Sequence, residues 1–165
     1  MTTTLRGTLA CRRDGALVHI GMPALPVTIE VSGHLFKAKR EFHVTLLGRQ
    51  ILRRAAVPAD NRTETAIRHA ARGTAFAVQL LDDLWILTAG EAATIIRMCS
   101  VAGAEDFFVR FETERGVSVE RPPYHVTLYT SATSAGIGLA STADLERCGR
   151  RLSDAQAAEL LRSIT

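Results

Sequence analysis

The chain has 165 residues, of which 47% are hydrophobic and 22% charged, a balance that fits a folded globular protein and excludes a disordered one. Its formal net charge of +3 does not demand nucleic acid as a partner. No apolar run approaches the roughly 18 residues of a membrane-spanning helix, and Met1 to Arg6 leads into no apolar targeting segment.

A cytoplasmic protein without a membrane anchor is therefore the default expectation. Of the 20 basic side chains only Lys37 and Lys39 are lysines. Arginine forks suit phosphate and carboxylate, although a general arginine bias accounts for them as well. Cys11, Cys99 and Cys148 are odd in number and form no CxxC pair, so they read as reduced, packed thiols.

In chain order, the first dozen residues read as a loose arm. Ala16 to Ile20 follows the Asp14-Gly15 turn as a short strand, and Val27 to Val31 alternates as a second after Pro23 and Pro26. Lys37 to Glu41 is a charged approach to Phe42-His43-Val44-Thr45-Leu46, which Gly48 closes. Arg49 to Ala56 and Asn61 to Arg72 carry helical patterns, with Asp60 or Asn61 as cap and Gly73 as stop. Asp82-Asp83, between two apolar runs, reads as a hairpin turn. Ala93 to Val101 reads as a strand, and Glu105 to Arg115 as a helix with Phe107, Phe108 and Phe111 inward, with strand as the alternative there. Pro122-Pro123 introduces Tyr124-His125-Val126-Thr127-Leu128. Ser131 to Gly138 is small and flexible, suited to a loop at a cleft mouth. Leu139 to Arg151 is partly helical, and Ser153 to Gln156 fits a capping box opening a final helix.

The phrase around His43 thus recurs around His125, 82 positions later: an aromatic, then His, Val, Thr and Leu. Both copies are rich in β-branched and aromatic residues and read as strands. Successive strand side chains point to opposite faces, so His43 joins Thr45 and His125 joins Thr127. One copy alone reads as a half-buried strand with two polar outward residues. Two copies imply similar halves, each giving one histidine to a shared cleft. Two imidazoles facing one phosphorus suit phosphoester chemistry, one as base and the other as acid. The neighbouring hydroxyls can donate to non-bridging phosphate oxygens.

These two motifs, with their separation and the short chain, resemble the 2H phosphoesterase superfamily, which includes the bacterial RNA 2',3'-cyclic phosphodiesterases once described as 2'-5' RNA ligases. The resemblance spans most of the chain by layout and about ten residues by motif. It implies a duplicated, bilobal α+β fold: one domain over residues 1–165, with pseudo-repeats at about 14–73 and 74–165, and two antiparallel sheets facing across a cleft with helices outside. It implies hydrolysis of a 2',3'-cyclic phosphate, on an RNA end or a small nucleotide, to a 2'-phosphate. His43 and His125 would be catalytic and Thr45 and Thr127 would bind substrate. No cofactor or metal is implied, and a monomer is expected.

If alternation holds, Tyr129 shares the histidine face and is the candidate to stack on a nucleobase, with Tyr124 as core anchor. Arg40 and Arg121 are candidates for phosphate contact, against the commoner role of solvated arginine. His19, His34 and His69 read as structural. No HExxH, P-loop, GxGxxG or GxSxG occurs. ADP-ribose cyclic phosphate and 2'-5' linked oligonucleotides are alternative substrates. A non-catalytic RNA- or nucleotide-binding module that keeps the cleft is the rival from another class. An interaction domain with coincidental motifs would leave the two histidines far apart.

Overall fold

Residues 3–131 and 136–164 are described by a computed structural model. Five strands come first: β1 (Thr3–Arg12), β2 (Gly15–Ile20), β3 (Thr28–Val31), β4 (His34–Ala38) and β5 (Phe42–Leu47). Helices α1 (Arg49–Arg54) and α2 (Asn61–Ala71) follow, then β6 (Phe76–Ala89), β7 (Ala92–Ala102) and α3 (Ala104–Arg115). The chain ends with β8 (His125–Ser131), α4 (Thr142–Cys148), β9 (Gly149–Arg151) and α5 (Asp154–Ser163). The class is α+β, with nine antiparallel strands and five helices among the described residues. None of these helices is long and apolar enough to cross a membrane.

The expectation of two separate sheets is corrected. The strands form one sheet in the order β3-β4-β8-β5-β2-β1-β6-β7, with β9 beside β6. β7 also pairs with β8, from Thr94–Thr130 to Met98–His125. Strands β8, β5, β2, β1, β6 and β7 therefore close a ring. The joining piece is β1, which is a strand and not a loose arm. It pairs with β2 along one edge and β6 along the other. This satisfies backbone groups that two half-sheets would leave open at their edges. Its alternation is weak, since Leu5, Leu9 and Cys11 are only partly buried against the core, and that hid it from periodicity.

The expected turn at Asp82-Asp83 is also corrected. β6 runs on through both aspartates, and its register with β7 shifts between Leu80 and Leu84. The irregularity is filled by Arg97, whose guanidinium donates to the Leu81 carbonyl at 2.6 Å and to Asp82 at 2.8 Å. The turn comes at Gly90, where φ is +60° and Ala89 pairs with Ala92.

Other local signals hold. Asp60 caps α2 by accepting from the Thr63 N–H at 2.9 Å, and Ser153 with Gln156 forms a capping box on α5. On α3, Phe107, Phe108 and Phe111 are fully buried, with Phe107 and Phe108 edge-on at 5.5 Å. They join the main core with Val18, Val44, Leu46 and Val126. A smaller cluster of Leu87, Ile96, Leu139 and Leu145 ties α4 and the segment before it to β6 and β7. Each such buried aliphatic contributes roughly 1.5–3 kcal/mol.

Candidate active site

Val44 on β5 and Val126 on β8 are partners in the antiparallel ladder, and both are fully buried. Alternation therefore turns His43, Thr45, His125 and Thr127 to the other face. The antiparallel register sets His43 across from Thr127 and Thr45 across from His125. The histidines occupy the diagonal, where backbones lie roughly 7–8 Å apart. All four motif side chains line a single cavity of ≈ 390 Å³.

Apolar walls come from Leu17, Leu47 and Ile51 on one side and Ile137 and Leu139 on the other. Gly136 lies over Thr127, where a Cβ would stand 3.4 Å from the threonine hydroxyl. Gly15 lets β2 approach β5 closely, since a Cβ there would fall 2.4 Å from the Leu47 carbonyl oxygen. The segment over the cavity is anchored by Asp144, which is 3% exposed. Its carboxylate accepts from the Ala140 N–H at 3.0 Å, Arg54 at 3.1 Å and Arg147 at 2.7 Å. Arg54 belongs to α1, so this aspartate ties α1 to α4 across the site. Asp14 lines the cavity but is engaged by Arg49 at 2.6 Å. Arg12 and Lys39 line it as cations.

The two histidines are held differently. His125 Nδ1–H donates to the Pro123 carbonyl at 2.8 Å, because a carbonyl only accepts. Among the described residues Nε2 has no hydrogen-bond partner. Burial pushes its pKa below the ordinary histidine value, and the carbonyl opposes that shift. Burial also pushes His43 down, reinforced by the nearby His19, Lys39, Arg12 and His125.

His43, His125, Thr45 and Thr127 are thus brought together. Tyr129 is not with them, which corrects the stacking expectation. It is fully buried, its hydroxyl finds no hydrogen-bond partner among the described residues, and it is not among the residues that line the cavity. The cause is a bulge: Ile95 pairs with Tyr129 but Ile96 with Thr127, so Leu128 is an extra residue in β8. A bulge breaks the alternation, and Tyr129 turns into the core instead. Tyr124 packs against the core as expected. Arg121 is claimed by Glu105 and Glu112 at 2.8 and 2.6 Å and lies over the Phe108 ring. Neither it nor the exposed Arg40 lines the cavity. His69 sits on the α2 surface against Glu114 at 2.9 Å, and His34 is exposed. Of the expected cleft loop, residues 132–135 lie outside the described residues, while Gly136 and Gly138 line the cavity.

Sequence reasoning missed Arg12, Lys39 and the place of His19. A signal for His19 was available: Val18-His19-Ile20 sets a histidine between buried aliphatics, as β5 sets His43 between Phe42 and Val44. No protein-family model, curated protein or solved structure matches the chain. Among the described residues, no three His, Cys, Asp or Glu side chains group to hold a metal ion. The chemistry on offer is two imidazoles for proton transfer and two hydroxyls for anion binding, over an aliphatic floor.

Proposed function

We propose that the chain is a metal-independent phosphodiesterase of the 2H type, which opens a 2',3'-cyclic phosphate on an RNA end or small nucleotide to a 2'-phosphate. The observation that carries this is the pairing of Val44 with Val126, which sets both His-x-Thr units on one face of adjacent strands and in one cavity. The duplicated, bilobal 2H architecture belongs to the same proposal. In its favour, each motif strand is followed by two helices, α1 and α2 after β5, and α4 and α5 after β8 with the short β9 between them.

In the proposed step one imidazole takes a proton from water as the water oxygen bonds to phosphorus. The bond from phosphorus to O3' breaks, and the other imidazole, protonated at the start, delivers its proton to O3'. Thr45 and Thr127 donate to the non-bridging oxygens, where negative charge builds. Asp14, the carboxylate on the wall, is occupied by Arg49 and leaves the proton transfers to the histidines. The histidines are the lining's aromatic side chains. Recognition then rests on the phosphate more than on a stacked base. Turnover of a panel of 2',3'-cyclic nucleotides and cyclic-phosphate-ended RNAs, followed by appearance of the 2'-phosphate, tests the proposal. Binding without turnover across the panel identifies a non-catalytic nucleotide-binding module instead.

A further inference from the structure

His125 has a backbone partner that fixes its ring, the Pro123 carbonyl at 2.8 Å. His43 has no equivalent: among the described residues its ring makes no hydrogen bond, and its ring contact is His19. β2 and β5 are antiparallel neighbours in which His19 and His43 are direct partners. Directly opposite residues share a face, with Cβ atoms about 4.5–5.5 Å apart. The two imidazoles follow, with centroids 5.7 Å apart and planes inclined at 59°. The alternation that buries Val18 and Ile20 at 0% and 7% exposure holds His19 on the cavity side of β2.

We propose that His19 is a positioning residue for His43, a third imidazole laid against it across the β2–β5 pair that holds its ring in line with the cyclic phosphate. It rests on the phosphodiesterase reading only for the substrate; the contact itself is independent of it. His19 supplies both a surface and a charge. As a ring it limits the orientations His43 can take, as the carbonyl does for His125. As a coulombic neighbour it disfavours the protonated form of His43. The charged groups acting on His43 come from every strand around it: Arg12 from β1, His19 from β2, Lys39 after β4 and His125 from β8. On its other side His19 meets Thr8 of β1, which carries no charge.

The test uses the full chain with His19→Phe, which keeps a ring without the charge, and His19→Ala, which removes both. His43 is titrated by NMR in each, and kcat and KM are measured on a 2',3'-cyclic nucleotide across pH. Both variants should raise the His43 titration midpoint, because the coulombic push of His19 on His43 is removed. The limb of the pH–rate profile carried by His43 should move the same way. His19→Ala should lower kcat by about tenfold with KM little changed, through loss of ring alignment, and His19→Phe should recover most of it. An unmoved His43 titration in both variants overturns the proposal, and so does a wild-type kcat in His19→Ala. Because the titration needs no turnover, a wild type inactive on every cyclic phosphate sinks the phosphodiesterase reading separately.

Discussion

Val44 and Val126 are direct partners at the only registered pair between β5 and β8 among the described residues, and each is fully buried. An antiparallel pair has local twofold symmetry, and here the axis passes between the two valines. Each repeat of His-x-Thr is carried onto the other by that axis. The four polar side chains therefore form two crossed His/Thr pairs around one point. A substitution that slips either strand by one residue would turn that strand's histidine and threonine into the core and break the pairing with the other two.

The histidines are expected to act as one unit. His43→Ala or His125→Ala should each lower kcat/KM at least about a hundredfold. The double variant should lose far less than the product of the two, because an acid and a base that serve one step fail together. Thr45→Ala and Thr127→Ala should cost about tenfold each, the worth of one hydrogen bond of about 1.4 kcal/mol. Steady-state kinetics on a cyclic phosphate, with matched circular dichroism, checks this. A folded His43→Ala protein at wild-type rate is incompatible with a paired mechanism.

Turnover should survive chelation. The proposed proton transfers use imidazoles, and the charge on phosphate is met by hydroxyls, so no step calls for a Lewis acid. Rates should agree within error before and after dialysis against EDTA. Activity lost on dialysis and regained with a divalent cation would contradict the donor set assigned to the site.

Tyr129→Phe separates packing from recognition. Among the described residues the buried Tyr129 hydroxyl has no partner, and burial pushes its pKa up. Deleting an unsatisfied hydroxyl while keeping the ring should leave stability unchanged or raise it by up to about 1 kcal/mol. KM should not move, since the ring lies in the core and outside the cavity. A raised KM with unchanged stability would return Tyr129 to the binding site.

The contrast between Thr127 and Tyr129 marks how far the sequence could be read. Period-two alternation places His43, Thr45, His125 and Thr127 together, because β5 from Phe42 to Thr45 and the start of β8 are regular. It fails two residues later, where Leu128 is extra against β7. A bulge is a cross-strand event and leaves no trace in its own strand's pattern. The long pairings are hidden for the same reason: β1 has weak alternation of its own and is fixed by β2 and β6 on its two edges. Helix caps, which are local, were legible at Asp60 and Ser153. Charges were not. Arg121 sits four residues before the start of β8 and is spent on α3, whereas Arg12 reaches the cavity from a segment with no motif.

Asp144 should matter both to stability and to the cavity's shape. Burial pushes its pKa up, but hydrogen bonds from Arg147, Ala140 and Arg54 outweigh that and hold it at about 2, below the ordinary aspartate value. A carboxyl depressed in the folded state stabilises above its unfolded pKa and loses that contribution as pH falls through the folded one. Its share of stability should therefore disappear between about pH 4 and pH 2. Asp144→Ala should cost about 2–3 kcal/mol at neutral pH, from charged hydrogen bonds lost and a backbone N–H left unpaired. It should also reduce kcat/KM by freeing the Gly136 to Ala140 segment. Denaturant melts at pH 7 and pH 2.5 check the first part: the gap between wild type and variant should narrow in acid.

The pH dependence of the histidines runs on the same principle with the opposite charge. Burial comes first in pushing both His43 and His125 below the ordinary histidine value, and cations add to it at His43. The kcat/KM profile reports the free enzyme, so its bell should centre on the acid side of the usual histidine range. A bound cyclic phosphate brings a negative charge to both rings and favours their protonation. The kcat profile should therefore lie at higher pH than the kcat/KM profile. Folding stability is linked as well. The unfolded chain binds these two protons more readily, so stability is fully present above the unfolded histidine pKa and falls as pH drops through it. Thermal midpoints from pH 8 to pH 5 should decline, and His43→Gln combined with His125→Gln should flatten that decline while abolishing turnover. A double variant that destabilises in acid as steeply as the wild type, or a kcat/KM bell centred above pH 7, would show that these rings do not carry the depressed titrations assigned to them.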